Sequence, residues 1–188
     1  MPRRGDVVRR RLQQAALELF TEQGFDQTSV EAIASRAGVT ERTAYRHFAD
    51  KREMLFDGER ELREALVQAV AAVPHGTKPL PALRAAFYAT VPLWERNRPF
   101  SEPTARLIAA TPALRERSLT KNANLADALT GALRARGVDA RTAPLCAQVA
   151  IDTLVIAMRR WTDEPSVSLH DQIEQAFREL RLAAAALK

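Results

Sequence analysis

The chain has a single cysteine, Cys146, and only three histidines among its 188 residues. One thiol cannot close an internal disulfide, so the core must hold the fold together. His47, His75 and His170 do not make a metal-ligand pair on one helix face, and the sequence contains neither a glycine-rich phosphate loop nor a nucleophile elbow. An enzyme is therefore not expected, and neither is a metal or any other cofactor. No uninterrupted apolar run reaches the roughly 18 residues needed to span a bilayer. The opening stretch MPRRGDVVRRR also lacks the apolar centre of a signal peptide. A cytoplasmic protein without a membrane partner is the expectation. Strand-like alternation does not recur, there is no internal repeat, and the only biased tract is the alanine-rich LAAAALK at the end.

What is present points to helices. Hydrophobic residues make up 46% and charged residues 27%, enough to bury the core of one or two domains. The 28 basic residues outnumber the 23 acidic ones. With a sequence pI near 10.0, this favours a polyanionic partner. Leu12, Ala15, Ala16, Leu19 and Phe20 fall at helical spacing before Gly24, which suits the left-handed position that ends a helix. Phe20 and Phe25 are placed to meet across that end. A second helix is predicted at TSVE, with Thr28 as cap and Glu31 three residues on, turning Val30, Ile33, Ala34 and Ala37 inward until Gly38. A third runs from a Thr40 cap to about His47. A fourth opens at DKRE with Asp50 as cap and continues to Pro74, tolerating Gly58 at a cost of about 1 kcal/mol. After the linker VPHGTKPLP, helices are expected at about 80–97, 101–110, 112–136, 141–162 and 168–187, with Pro92 kinking or ending the first. The expected fold class is all-α.

Two helices joined by a short turn containing glycine form a helix-turn-helix, whose second helix enters the major groove of DNA. Here that helix is ERTAYRHF. Val39, Ala44 and Phe48 supply its inward anchors, while Glu41, Arg42, Thr43, Tyr45, Arg46 and His47 can face base edges or phosphates. The basic residues Arg3, Arg4, Arg9, Arg10 and Arg11 suit an arm reaching a minor groove or adjacent phosphates, or simply a solvated face.

The stretch TSVEAIASRAGVTERTAYRHFADKREML resembles the DNA-binding domain of the TetR family of bacterial transcriptional regulators, and the three-helix pattern follows that family from about Val7 to Leu55. The resemblance implies a DNA-binding domain over residues 1–52 and a helical effector-binding and dimerisation domain over 53–188. It implies that Tyr45, His47 and Lys51, with Thr28 at the start of the second helix, contact phosphates. Thr40, Glu41, Arg42 and Thr43 match positions that face bases, and Arg42 is suited to the O6 and N7 of guanine. Ala44 is smaller than the apolar residue usual before the tyrosine.

In the second half, Leu114, Ser118, Asn122, Leu125, Leu129 and Leu133 share one stripe, so two polar side chains interrupt an apolar line. Ser118 and Asn122 either bond neighbouring helices or provide polar contacts in a cavity walled by Phe87, Trp94, Leu107 and Met158. Asp152 lies within an apolar run, and it either finds solvent, pairs with Arg159 two turns on, or takes a ligand role. Leu169, Ile173, Ala176, Phe177, Leu180, Ala184 and Leu187 form an apolar stripe on the last helix, and the helix before it is apolar over most of its circumference. The family resemblance makes these two helices the homodimer interface, with Ile173, Phe177 and Leu180 as contacts. LIAATPALRERSL also resembles regulators that accept acyl-CoA-like ligands. The expected partners are thus a double-stranded DNA operator, a small hydrophobic or amphipathic effector, and a second copy of the chain. The alternative is a helix-turn-helix or architectural DNA-binding protein that senses no ligand.

Overall fold

The computed structural model describes residues 4–164 and 166–186, with only the backbone of Arg4; Arg3 and Leu187 lie outside this range. Among the described residues there are nine α-helices, one 3-10 turn and no strand, so the all-α expectation holds. The first three helices are α1 (Arg4–Gln23), α2 (Val30–Arg36) and α3 (Glu41–His47). Gly24 ends α1 at φ 87°, and its N–H donates to the Phe20 carbonyl at 3.1 Å. The Phe20 and Phe25 rings meet with centroids 5.1 Å apart.

Two local expectations need correction. Ser29, not Thr28, caps α2, its hydroxyl accepting from the Ala32 N–H at 3.0 Å. The Thr28 side chain is turned inward instead and donates to the Gly24 carbonyl at 2.8 Å. Nor does one helix run from Asp50 to Pro74. Asp50 does act as a cap, accepting from the N–H groups of Arg52 at 2.7 Å and Glu53 at 3.2 Å, but the turn it starts is a single 3-10 turn, Glu53–Leu55. Gly58 then sits at φ 91°, outside helical backbone space, and α4 (Glu59–Ala72) begins after it.

The remaining helices are α5 (Pro79–Arg96), α6 (Arg98–Ala110), α7 (Pro112–Ala135), α8 (Thr142–Asp163) and α9 (Leu169–Ala185), close to their expected bounds. Pro92 lies inside α5 and does not end it. The chain divides into two compact units. The first reaches to Gly58 and also takes in Pro99–Ser118; the second comprises Glu59–Arg98 and the chain from Leu119 onward.

The core of the first unit is built on Leu12, Ala16, Phe20, Ile33, Met54 and Leu114, all at most 1% exposed. In the second, α4 packs on α5, and α5, α8 and α9 pack on one another around Leu83, Phe87, Ile151 and Trp161. Ala143, Ala147, Ala150 and Ala157 present a face of small residues on α8 that is fully buried, which lets the neighbouring helices approach closely. By length and composition alone, the 22-residue α8 could cross a membrane. Its buried face is occupied by this core. Arg136 donates to the carbonyls of Val70, Val73 and Pro74 at 3.0, 2.6 and 2.8 Å, satisfying the carbonyl end of α4.

A polar cluster joins α5 to α9 in this unit. The Tyr88 hydroxyl and Arg84 both donate to the Glu174 carboxylate, Arg84 at 3.0 Å, and the His170 ring stacks on Tyr88 at 4.1 Å between centroids. Burial first, and then the bond to Glu174, push the Tyr88 hydroxyl from 10.0 up to about 12. Because the folded state keeps a proton that the unfolded chain releases, this contribution is complete below pH 10 and is lost as pH rises through about 12. Urea unfolding followed across that window should show stability falling with pH in the native protein. The slope should be shallower in Tyr88→Phe.

Candidate functional site

The helix-turn-helix is assembled as α2, the turn around Gly38, and α3. Gly38 has φ 65°, and the N–H of Val39 donates to the Ala34 carbonyl at 2.9 Å across the turn. The positive φ is what favours glycine at Gly38; a Cβ there would also stand 2.6 Å from the tip of the Arg11 side chain, which is exposed and can move aside. Thr40 caps α3, accepting from the Thr43 N–H at 3.2 Å. Ala44 and Phe48 are buried at 0% and 3%, and Val39 packs beside them against the same core, as the spacing predicts.

The opposite side of α3 is open. Thr40, Glu41, Arg42, Tyr45 and Arg46 are exposed, and Tyr45 keeps 52% of its surface. Arg42 has no ion-pair or hydrogen-bond partner among the described residues. Thr43 and His47 are half-buried, and the two threonine hydroxyls at Thr40 and Thr43 lie 3.0 Å apart. Five donors or acceptors within two turns of helix thus reach outward together.

The other positions assigned to phosphates serve inside the unit. Thr28 is 1% exposed, so its side chain is a structural clamp rather than a surface contact. The Lys51 ammonium donates to the carbonyls of Phe25 at 2.6 Å and Thr28 at 2.9 Å and lies 4.2 Å from the centre of the Phe25 ring. Burial lowers its pKa from the usual lysine value. Lys51 therefore ties the segment after α3 to the α1–α2 corner.

Arg9, counted with a basic arm, is similarly engaged. It donates from Nε and Nη2 to Asp57, both at 2.6 Å, and from Nη1 to the His47 carbonyl at 3.1 Å, and its guanidinium covers the Phe48 ring at 4.5 Å. Arg10 and Arg11 are exposed.

A further tie within the first unit was not visible in the sequence. Arg117, near the start of α7, donates to both oxygens of Glu53 at 2.6 and 2.9 Å and lies over the Phe56 ring at 4.9 Å. These partners are 64 residues apart. No local spacing rule reaches that far.

The residues assigned to an effector site fall into different units. Leu107 packs against the first core, to which Ser118 is also assigned. In the second unit, Phe87 is fully buried with its ring 6.0 Å from Phe177, while Trp94 and Met158 pack at the edge of the core and Asn122 is half-buried. The Trp94 indole N–H is buried and has no acceptor among the described residues, and the Lys121 ammonium lies 5.6 Å from the ring centre. Along α7, Leu114 enters the first core, whereas Leu125, Leu129 and Leu133 enter the second. Ser118 and Asn122 fall where the stripe passes from one core to the other.

The residues expected as dimer contacts on α9 pack within the protomer to different degrees. Ile173 is 0% exposed and Phe177 8%, both inside the second core, and Leu180 is packed against it. Their stripe faces α5 and α8 of the same chain. The large apolar side chains left at the surface of these helices are Leu145 at 65%, Val155 at 43% and Ile156 at 49% on α8, with Leu182 at 63% on α9. The signal for them was the contrast on α8 between a face of alanines and a face of larger residues.

A short capped helix held on a three-helix core, with its outer side polar, defines a helix-turn-helix DNA-binding domain. Residues 12–57 match the model for bacterial regulatory proteins of the tetR family, and residues 77–185 match the MftR C-terminal domain. The chain belongs to the TetR family of transcriptional regulators. It is similar to the HTH-type transcriptional regulator TcmR of Streptomyces glaucescens, 34% identical over 139 residues that cover 70% of this chain and 62% of TcmR. The chain thus spans under two thirds of TcmR. It is also similar to the mycofactocin biosynthesis transcriptional regulator MftR of Mycobacterium tuberculosis, 29% identical with 94% of both chains covered. Among solved structures, FadR of Thermus thermophilus, a TetR-family repressor in complex with lauroyl-CoA, superposes with a TM-score of 0.57 and 25% identity over 90% of this chain and 91% of that one.

The internal role of Lys51 separates it from Arg42 in folding as well as in recognition. Lys51→Met should lower unfolding stability by about 1–3 kcal/mol, since charge-assisted bonds to two carbonyls are lost. Arg42→Ala, at an exposed position, should stay within about 0.5 kcal/mol of the native protein. Urea midpoints for the two variants check this; an unchanged midpoint for Lys51→Met would remove the clamp.

Proposed function

We propose that this protein is a cytoplasmic repressor that binds a palindromic double-stranded DNA operator as a homodimer and releases it when a small hydrophobic or amphipathic effector binds. Residues 1–52 carry DNA recognition, and 53–188 carry effector binding and dimerisation. The observation that carries the proposal is the outward side of α3, where Arg42, Tyr45 and Arg46 stand exposed on a helix whose inner side is fixed by Ala44 and Phe48. Arg42, with Thr40 and Thr43, reads base edges; Tyr45 and His47 position the helix on phosphates. Lys51 contributes by holding the scaffold, and Thr28 contributes only through the fold.

For the effector, support comes from Trp94, whose buried N–H has no acceptor among the described residues, from Lys121 beside it, and from the half-buried Asn122. Donors beside the apolar edge of the core, where Trp94 and Met158 pack, suit a molecule with an apolar body and an acceptor-bearing head. That the Thermus FadR was solved with lauroyl-CoA supports an acyl-CoA-like class. Dimerisation is supported by Leu145, Val155 and Ile156, large apolar groups left uncovered on α8.

The division of labour on α3 is tested by operator titration at fixed salt. Arg42→Ala should lose about 1–3 kcal/mol of discrimination at one base pair. An Arg42→Ala protein that still discriminates at every position of the operator would exclude Arg42 as a base reader.

Ligand-driven release is tested by linkage. Lauroyl-CoA should bind more weakly when operator is present, by the same factor by which it weakens operator binding. A coupling of about 3 kcal/mol corresponds to roughly 150-fold. Equal lauroyl-CoA affinities with and without operator would rule out this ligand class as the releasing effector. Equal affinities across apolar and amphipathic compounds that bind would favour a DNA-binding protein without a sensor.

A further inference from the structure

The exposed face of α8 is complementary to itself. Leu145, Gln148, Asp152, Val155, Ile156 and Arg159 recur three or four residues apart and are all exposed, so they share one side of the helix. Three charges stand on it, Asp152, Arg159 and, at the end of the helix, Asp163. Asp152 accepts from Gln148 at 3.1 Å through one carboxylate oxygen, and Arg159 has no partner among the described residues. The two are seven residues apart, about 10 Å along the helix axis at 1.5 Å per residue, too far for a direct bond within the helix. The midpoint between them falls between Val155 and Ile156, two of the large apolar side chains left uncovered in the second unit.

In a two-fold interface, whatever residue i meets at residue j, residue j meets at residue i. When a helix crosses its own symmetry mate antiparallel, positions equidistant from the crossing point face each other. We infer that α8 crosses the α8 of a second copy at Val155 and Ile156, so that Asp152 of each copy pairs with Arg159 of the other. Two ion pairs then flank one apolar contact. A crossing centred on Asp152 would oppose two carboxylates, and like charges set against each other at an interface are repelled. The charge pattern therefore selects the register.

This pairing rests on the dimer proposed above, and one set of variants separates the two. Asp152→Arg makes each symmetric dimer place arginine against arginine twice, and Arg159→Asp places aspartate against aspartate twice. Each single variant should associate about tenfold more weakly than the native chain, or worse. Mixing the two single variants should give heterodimer almost exclusively, because only that combination restores both opposite-charge pairs. The double exchange Asp152→Arg with Arg159→Asp in one chain should return homodimers of native strength. Native mass spectrometry of the mixture, with one variant carrying a mass tag, reads the ratio directly, and circular dichroism of each variant verifies folding. Native protein that is monomeric at micromolar concentration would overturn the dimer itself. Native dimers whose single variants mix in the statistical one-to-two-to-one ratio would overturn the pairing and leave the dimer standing; a misfolded single variant leaves the double exchange to decide, with loss of its homodimer also overturning the pairing.

Discussion

A helix of seven residues does not hold its shape in water, because the cost of starting a helix is not repaid over two turns. Helix α3 has that length, and it must nonetheless present its side chains at fixed positions to a groove. Everything around it can be understood as supplying what its own hydrogen bonds cannot. Thr40 satisfies its first turn, Gly38 sets its entry, Ala44 and Phe48 anchor it, and Arg9 takes up the carbonyl of His47 at its end. Lys51 then clamps the chain that follows to the α1–α2 corner. Cations in this domain are thus divided between two uses, some directed outward and some spent on backbone carbonyls and carboxylates.

The same economy explains why the chain changes backbone state after the Glu53–Leu55 turn. A continuous helix from Asp50 would carry Leu55 and Leu62 on one rigid rod, yet Leu55 belongs to the first core and Leu62 to the second. Gly58 at φ 91° breaks the helix between them; a Cβ there would meet nothing within 4 Å, but the backbone conformation would strain any other residue. Helix α7 handles the same transition without a break. Its stripe holds leucines for each core and two polar residues, Ser118 and Asn122, in the interval where neither core claims it.

The second unit turns on the small face of α8. Buried alanines at 143, 147, 150 and 157 let α5 and α9 approach, and Leu169, Ile173, Ala176 and Phe177 of α9 are buried in the same core. Burial of Ile173 and Phe177 stabilises the protomer, each side chain by about 1.5–3 kcal/mol relative to exposure. What stays uncovered is the outer face of the same helix, where Leu145, Val155 and Ile156 stand beside Asp152 and Arg159.

Apart from the break at Gly58, the sequence by itself determined the helices, their order, the turns at Gly24 and Gly38 and the outward set on α3, because each depends on residues within four positions of one another. Thr40, Gly38, Ala44 and Phe48 act through neighbours on one helix or turn, and local spacing reports such roles faithfully. It also determined the family, through a motif contained in one continuous stretch. Only the tertiary structure decided which polar side chains were spent internally. Thr28, Lys51, Arg9 and Arg117 look available in a linear text, and each is committed by a partner that folding brings near, as far as 64 residues away in the case of Arg117 and Glu53. The choice between the two apolar faces offered by α8 and α9 was likewise tertiary. An amphipathic stripe states that a face will be buried, but whether its own protomer or a second copy buries it depends on which neighbouring helix arrives first with a complementary surface, and no periodicity within one helix contains that information.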